Sequence, residues 1–340
     1  MNPFLKKILL TIPAVRRRRT ERLRLESLLE ETNATLAAAI KQHRKELAGL
    51  NMENGFRPGH FYSPYLNADD PSVVAAMELE AQPTTPLDEL GIDEREVLRW
   101  FERIAEHYDA TRGKEQPFPK DSTAGRRYLY YANPSFSLAD ALALLAVMTT
   151  ARPRRYIEVG AGHSSCAALD INEHYLGGTA EMTFIDPHPE KFHQLLANFP
   201  DDRQRIVPSR LQDVPLERFA ALESGDILFI DSSHVAKTGS DVVDYMFRIL
   251  PVLRPGVFVH VHDIFYPFEY PWRWIAEENR SWNEAYLLRA FLHSNPRFRV
   301  LYFSDWIFKC RRDLFETRMP LCLLNAGASL WMQTVDSGSV

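Results

Sequence analysis

The sequence predicts an open parallel α/β sheet, on three observations. Short apolar runs alternate with helical stretches from residue 138 nearly to the end of the chain. One run closes in a glycine turn, Tyr156-Ile-Glu-Val-Gly-Ala-Gly-His-Ser-Ser165. Several runs end in acids or histidines, and a parallel sheet gathers strand ends along one edge, where such sheets bind ligands.

The 340 residues suffice for one large α/β domain with additions, and 45% apolar with 25% charged residues is ordinary globular composition. Three widely spaced cysteines, Cys166, Cys310 and Cys322, exclude a disulfide framework or zinc knuckle and fit a cytoplasmic setting. Residues 1–24 carry eight Lys/Arg and one Glu, about +7 in a chain of net charge −5, so the remainder is near −12. A basic end on an acidic body argues against nucleic acid as partner and is compatible with peripheral contact at an anionic membrane surface. The apolar stretch Phe4–Val15 is too short and interrupted to span a bilayer. Arg16–Arg19 stands where a signal peptide needs small residues. A fraying tail and a membrane- or partner-binding segment both remain open.

From Thr20 to Leu50 a long helix is expected, with Leu29, Asn33, Leu36, Ile40, His43, Leu47 and Leu50 at alternating steps of four and three. That spacing is a coiled-coil seam serving a homo-oligomer, or one helix packing on its own domain. Residues 1–54 therefore read as basic tail and helix, and 55–125 as an irregular cap segment. The sheet domain follows at 126–335, with a short tail at 336–340. Within the cap, Gly55–Tyr65 is a loop dense in aromatics, with His60 and Tyr62, and Asp93–His107 is an amphipathic helix. Tyr130 and Asn133 lie in a second aromatic loop before a helix over Leu138–Thr149. Strands are predicted at Tyr156–Val159, Met182–Ile185, Arg205–Val207, Ile227–Ile230, Val257–Val261, Val300–Phe303 and Ala328–Met332. Helices are predicted at Cys166–Tyr175, Pro189–Ala197, Leu216–Leu222, Ser240–Leu253, Trp282–Leu292 and Arg311–Thr317. Ser164 and Ser165 are read as caps of the helix after the glycine turn.

Gly160 and Gly162 free the turn for close ligand approach. Asp186 ends the second strand, placed to accept both hydroxyls of a ribose. Leu211-Gln-Asp213 brings an amide and an acid near a base edge. The fourth strand ends in Asp231-Ser-Ser-His234, the fifth in His260-Val-His-Asp263. Asp231 and Asp263 are hard oxygen ligands for Mg²⁺ or Mn²⁺, with His234 free as a base whose pKa lies near working pH. In the alternative, these acids cap helices and the histidines make core hydrogen bonds. Mid-strand His260 reads best as core.

With these residues in view, the chain resembles the class I S-adenosylmethionine-dependent methyltransferases. It is most similar to a bacterial subgroup with Glu-Val-Gly-x-Gly-x-Ser-Ser after the first strand, Ile-Asp-x-x-His after the fourth and His-Asp after the fifth. Here these are Glu158–Ser165, Ile230–His234 and His262–Asp263. Arg127 to Phe136, Gly59–Pro64 and Asn279–Tyr286 add to the likeness. The resemblance implies a Rossmann-like sheet of seven strands, the last antiparallel. It implies cofactor contacts at Glu158, Gly160, Gly162, Ser164, Asp186, Asp213 and Asp231, with Asp186 on the ribose and Asp213 near the adenine. The Asp-x-x-His is similar to that of metal-dependent sugar O-methyltransferases of macrolide pathways, which implies Asp231 as metal ligand and His234 as general base. Two adjacent acids stand in that family where this chain has His262-Asp263, so His262 joins Asp263 as a candidate ligand. The expected acceptor is a hydroxyl on a sugar, glycan or glycosylated small molecule, with His60, Tyr62, Tyr130, Asn133, Tyr266 and Glu269 as substrate-binding candidates. The rivals are a metal-independent methyltransferase, a non-catalytic membrane-tethered scaffold and an oxidoreductase. The last is disfavoured because Ser165 stands where the dinucleotide motif wants Gly or Ala.

Overall fold

In the computed structural model, the described residues are 21, 24–25, 27–36, 38–39, 42, 60, 62–67, 70–71, 73–75, 85–110, 118, 125–130, 133, 135–293 and 295–336. The chain divides into two compact units, Met1–Ala75 with Trp272–Ser281, and Ala76–Pro271 with Trp282–Val340. In the first unit the described residues between 21 and 42 are helical, and Leu29 and Leu36 of the expected seam are exposed. The basic tail before residue 21, the loop at 55–59 and the seam positions Ile40, His43, Leu47 and Leu50 lie outside the described residues. Among those described, no helix is long and apolar enough to cross a membrane.

The second unit begins with α1 (Glu94–Ala110) and α2 (Leu138–Ala151), then runs β1 (Arg155–Val159), α3 (His163–Tyr175), β2 (Glu181–Ile185), α4 (Glu190–Leu195) and β3 (Ile206–Val207). It continues through α5 (Glu217–Ala220), β4 (Ile227–Ile230), α6 (Asp241–Asp244) and β5 (Phe258–Val261). The short helix α7 (Trp272–Ala276) belongs to the first unit. Then follow α8 (Glu284–His293), β6 (Phe298–Phe303), α9 (Ser304–Cys310), α10 (Arg312–Arg318) and β7 (Leu330–Thr334).

The strands form one seven-stranded sheet in the order β3-β2-β1-β4-β5-β7-β6. The first five pair in parallel, and β7 is antiparallel to both neighbours, as the family resemblance implies. Helix α1 buries the apolar stripe read from the sequence, Val97, Trp100, Phe101 and Ile104. Helix α2 is buried from Ala139 to Met148 and starts at a Ser137–Asp140 capping box. Asp140 also accepts the Ala328 N–H at 3.1 Å, which ties α2 to the approach of β7.

Two local expectations need correction. The helix after the glycine turn begins at His163 with Gly162 as its N-cap, so Ser164 and Ser165 lie within its first turn. The single helix expected over Ser240–Leu253 breaks into α6, a π turn at Tyr245–Ile249 and a 3₁₀ turn at Leu250–Val252. Pro251 accounts for the last break, since it has no N–H to donate to a regular ladder. Among the described residues, helices α7 and α9 were not read from the sequence.

Candidate active site

The strand ends are level. Gly160 N donates to Ile185 O, Asp231 N to Val159 O and His262 N to Ile230 O, each at 2.9 Å, and Asp186 N to Val207 O at 3.1 Å. The residues just past β1, β2, β4 and β5 thus sit side by side at the carboxyl edge.

The turn after β1 opens into a cavity of about 150 Å³ lined by Gly160, Gly162, Ser164, Asp186, Lys191 and Asp231. Gly160 has φ of 84°, and a Cβ there would collide with the Asp231 carbonyl oxygen. Asp186 is held by the glycine turn and by its own, its Oδ2 accepting Ala161 N–H at 3.0 Å and its Oδ1 accepting His188 N–H at 2.7 Å. Its carboxylate keeps lone pairs on both oxygens for further donors.

Beside this cavity stand Asp231, His234 and Asp263. Among the described residues these three form a metal-capable group, one ligand atom from each, all within 4.8 Å of one another. His234 Nε2 lies 3.4 Å from Asp231 Oδ1 and 3.7 Å from Asp263 Oδ2. Its Nδ1 is 2.8 Å from Oε2 of Glu284, whose side chain is fully buried. His234 and Asp263 both take left-handed backbone, with φ of 58° and 56°. Such conformations cost a non-glycine residue about 1 kcal/mol or more and concentrate at functional sites.

Two carboxylates and an imidazole suit a divalent ion such as Mg²⁺ or Mn²⁺, so the residues present fit one. The imidazole within reach is His234 rather than His262. His262 is buried, its Nδ1 3.3 Å from His260 Nε2 and its Nε2 3.7 Å from Asp263 Oδ1, which removes it from the ligand set expected from sequence. His260 stacks on Phe229 with ring centroids 3.9 Å apart, as a core residue should.

Burial works against charge on His234, but hydrogen bonds to Asp231 and Glu284 and their charges outweigh it, so its pKa is raised well above the ordinary histidine value. That direction runs against the expectation of a pKa near working pH, because the two carboxylates favour the charged ring. Burial works to raise Asp231, yet His262 and His234 hold it below the usual carboxylate range.

Residues 157–264 match the family described as a methyltransferase domain. An uncharacterized protein of Archaeoglobus fulgidus is 31% identical over 175 residues, 51% of this chain and 76% of that protein. The chain belongs to the class I S-adenosylmethionine-dependent methyltransferases. Among solved structures, this methyltransferase is similar to the SAH-bound methyltransferase PaMTH1 of Podospora anserina at 14% identity and a TM-score of 0.40, covering 78% of this chain and 95% of that one. It is also similar to the SAM-bound O-methyltransferase TomG of Streptomyces achromogenes, involved in tomaymycin synthesis, at 12% identity and a TM-score of 0.38, covering 78% and 96%.

Other sequence-predicted residues of the methyltransferase stand as follows. Glu158 is fully buried beneath the glycine turn. Its Oε1 accepts the hydroxyls of Ser164 and Ser165, the latter at 2.8 Å, and its Oε2 that of Tyr156 at 2.8 Å. It shapes the cofactor turn from below and does not line the cavity. Asp213 is exposed and paired with Arg210 at 2.8 and 2.9 Å, off the cavity wall. Asn133 spends its amide on its own turn, donating to Leu129 O at 2.9 Å and accepting from Phe136 N at 2.8 Å. Tyr130 is half-buried in the loop before it. Tyr266 is buried, donates to Thr85 O, and lines a larger cavity of about 760 Å³ with Trp306 and Asp93. Glu269 accepts from Tyr270 N at 2.9 Å and from the Tyr286 hydroxyl. His60 and Tyr62 belong to the first unit, where Tyr62 N donates to His60 Nδ1 at 3.2 Å.

Sequence reading did not assign Glu284 or Lys191 to the site. The only signal for Glu284 was an acid opening a helix in the family-like Asn279–Tyr286 segment. Lys191 gave none.

Burial raises the Glu158 carboxyl to about 8, against the pull of its three hydroxyl donors. The fold therefore favours the acid form. Its stabilising contribution is complete below about 4.5 and is lost as pH rises toward 8, at up to about 1.4 kcal/mol per pH unit. Glu158→Gln carries no such charge. Urea unfolding of both proteins should show the stability difference moving in the variant's favour across that window. A difference independent of pH would refute the assignment.

Proposed function

We propose that this methyltransferase transfers methyl to a hydroxyl oxygen of a sugar, glycan or glycosylated small molecule. The carrying observation is His234, aimed at the cleft between Asp231 and Asp263 and fixed from behind. A hydroxyl acceptor must give up its proton as the new bond forms, whereas a neutral amine attacks with its lone pair first. A base at the strand tips serves the hydroxyl case. S-adenosylmethionine supplies an electrophilic methyl on a sulfonium. Asp231 and Asp263 are the groups that would hold a divalent ion, which would supply Lewis acidity that lowers the pKa of a hydroxyl, while His234 Nε2 is kept for the proton.

The residues supply position and a proton acceptor. Asp186 anchors the ribose, the Gly160–Gly162 turn lets the cofactor approach the backbone, and alignment does the rest, because near-attack geometry removes much of the barrier. Asp231 and Glu284 favour the protonated form of His234. The ring accepts a proton at Nε2 once the charge of Asp231 is engaged elsewhere. Trp282, half-buried with its ring 4.2 Å from that of His234, offers an aromatic face for the apolar side of a sugar ring.

The test is transfer of labelled methyl to hydroxyl-bearing acceptors, with and without EDTA. The expected product is an alkali-stable ether, formed again when Mg²⁺ or Mn²⁺ is restored after EDTA. Label released as methanol by mild alkali would mean a carboxylate acceptor and sink the reading. Full activity in EDTA would remove the metal and leave His234 alone with the proton. In the same assay Asp186→Ala should weaken cofactor affinity by about 1.5–3 kcal/mol, the worth of hydrogen bonds to a charged group.

A further inference from the structure

We propose that Glu284 and Tyr245 are positioning residues that set which nitrogen of His234 faces the cleft. The inference rests on the reading of His234 as the proton acceptor. Glu284 Oε1 accepts the Tyr245 hydroxyl, leaving Oε2 for His234 Nδ1 at 2.8 Å. A carboxylate there keeps a proton on Nδ1, so in the neutral ring Nε2 is the nitrogen that faces Asp231 and Asp263 with its lone pair.

The surrounding backbone is built to hold this pair. His234 O accepts the N–H groups of Asn283 and Glu284 at 3.2 Å each. Asn283 Oδ1 accepts Ala236 N–H at 2.6 Å, and its Nδ2 donates to Ala236 O at 3.2 Å. The loop after β4 is thus clamped to the start of α8, with His234 in left-handed backbone. Tyr245 opens the π turn, a feature frequent at functional sites. Stability gives no reason to sink a carboxylate to 0% exposure here, since apolar residues of similar volume pack as well or better than a buried charged group.

In Glu284→Gln, an amide N–H facing Nδ1 moves the ring proton to Nε2 and takes the lone pair out of the cleft. The variants to measure are Glu284→Gln, Tyr245→Phe, His234→Asn and the Glu284→Gln/His234→Asn double, each by kcat, acceptor KM and cofactor Kd. Glu284→Gln is expected to lower kcat by up to about 10⁴, the loss seen when the carboxylate behind a catalytic histidine becomes an amide, with KM and Kd near wild type. Tyr245→Phe should fall less. In the His234→Asn background Glu284→Gln should cost nothing more, because it acts only through the ring. Structural damage would instead multiply the two losses, and that outcome overturns the proposal. So does a Glu284→Gln enzyme within about threefold of wild type, or, if that variant folds poorly, a Tyr245→Phe enzyme with unchanged kcat. His234→Asn turning over normally would sink the base reading itself. A crippled His234→Asn beside an intact Glu284→Gln would sink only the positioning role.

Discussion

His234→Asn should lose about 10²–10⁴ in kcat while binding S-adenosylmethionine as wild type does. Asparagine is the informative replacement for three reasons. Its Nδ2 stands near where Nδ1 was, so Glu284 keeps a donor and is not left as a buried unpaired charge, which would cost several kcal/mol. It tolerates the left-handed backbone that His234 occupies. It has nothing at the Nε2 position, so only the proton acceptor disappears. The loss should shrink as pH rises and the acceptor hydroxyl ionises without help. An asparagine enzyme at wild-type kcat would place the base elsewhere.

The parts of the fold legible in the sequence are those with local causes. The apolar run of β4, Ile227–Ile230, is bounded on both sides and is found as read. The glycine turn announces itself because only glycine takes the backbone that Gly160 needs. Strand-end acids were legible because a parallel sheet must deliver them to one edge. What the sequence hid is long-range. Glu284 meets His234 across a separation of 50 residues, through an insertion whose path no periodicity predicts. The sequence offered His262 as ligand and His234 as base, but not that the pleat sends His262 inward, toward His260, while the loop after β4 turns His234 into the cleft. Asp213, an acid at a plausible place, pairs with Arg210 three positions away, a local partner that strand-end reasoning does not consider.

The electrostatic design follows from the same long-range placement. Asp231, Asp263 and Glu284 surround one imidazole, so the site is a cage of acidic side chains around one basic ring. Such a cage attracts cations, and the sulfonium of the cofactor is one. Lys191, on the cavity wall, adds a positive charge that helps lower the pKa of Asp231.

Gly160→Ala should be the most damaging single methyl group in the sheet edge, and Gly162→Ala its built-in control. At Gly160 φ is 84°, so alanine pays about 1–2 kcal/mol for left-handed backbone. Its Cβ would also overlap the Asp231 carbonyl oxygen, which belongs to backbone and cannot rotate aside. Overpacking of that kind adds about 1–3 kcal/mol. Relief requires moving the turn after β1 away from the end of β4 at Asp231. At Gly162 φ is −171°, which is extended backbone, and a Cβ meets nothing within 4 Å. Urea unfolding and cofactor calorimetry on both variants separate the cases. Gly160→Ala is expected to lose more than about 2 kcal/mol of stability and most of its cofactor affinity, while Gly162→Ala loses about 1 kcal/mol or less as a replaced N-cap. Equal behaviour of the two variants would mean that the turn has slack, and that the close approach of Gly160 to Asp231 does not hold the cofactor edge together.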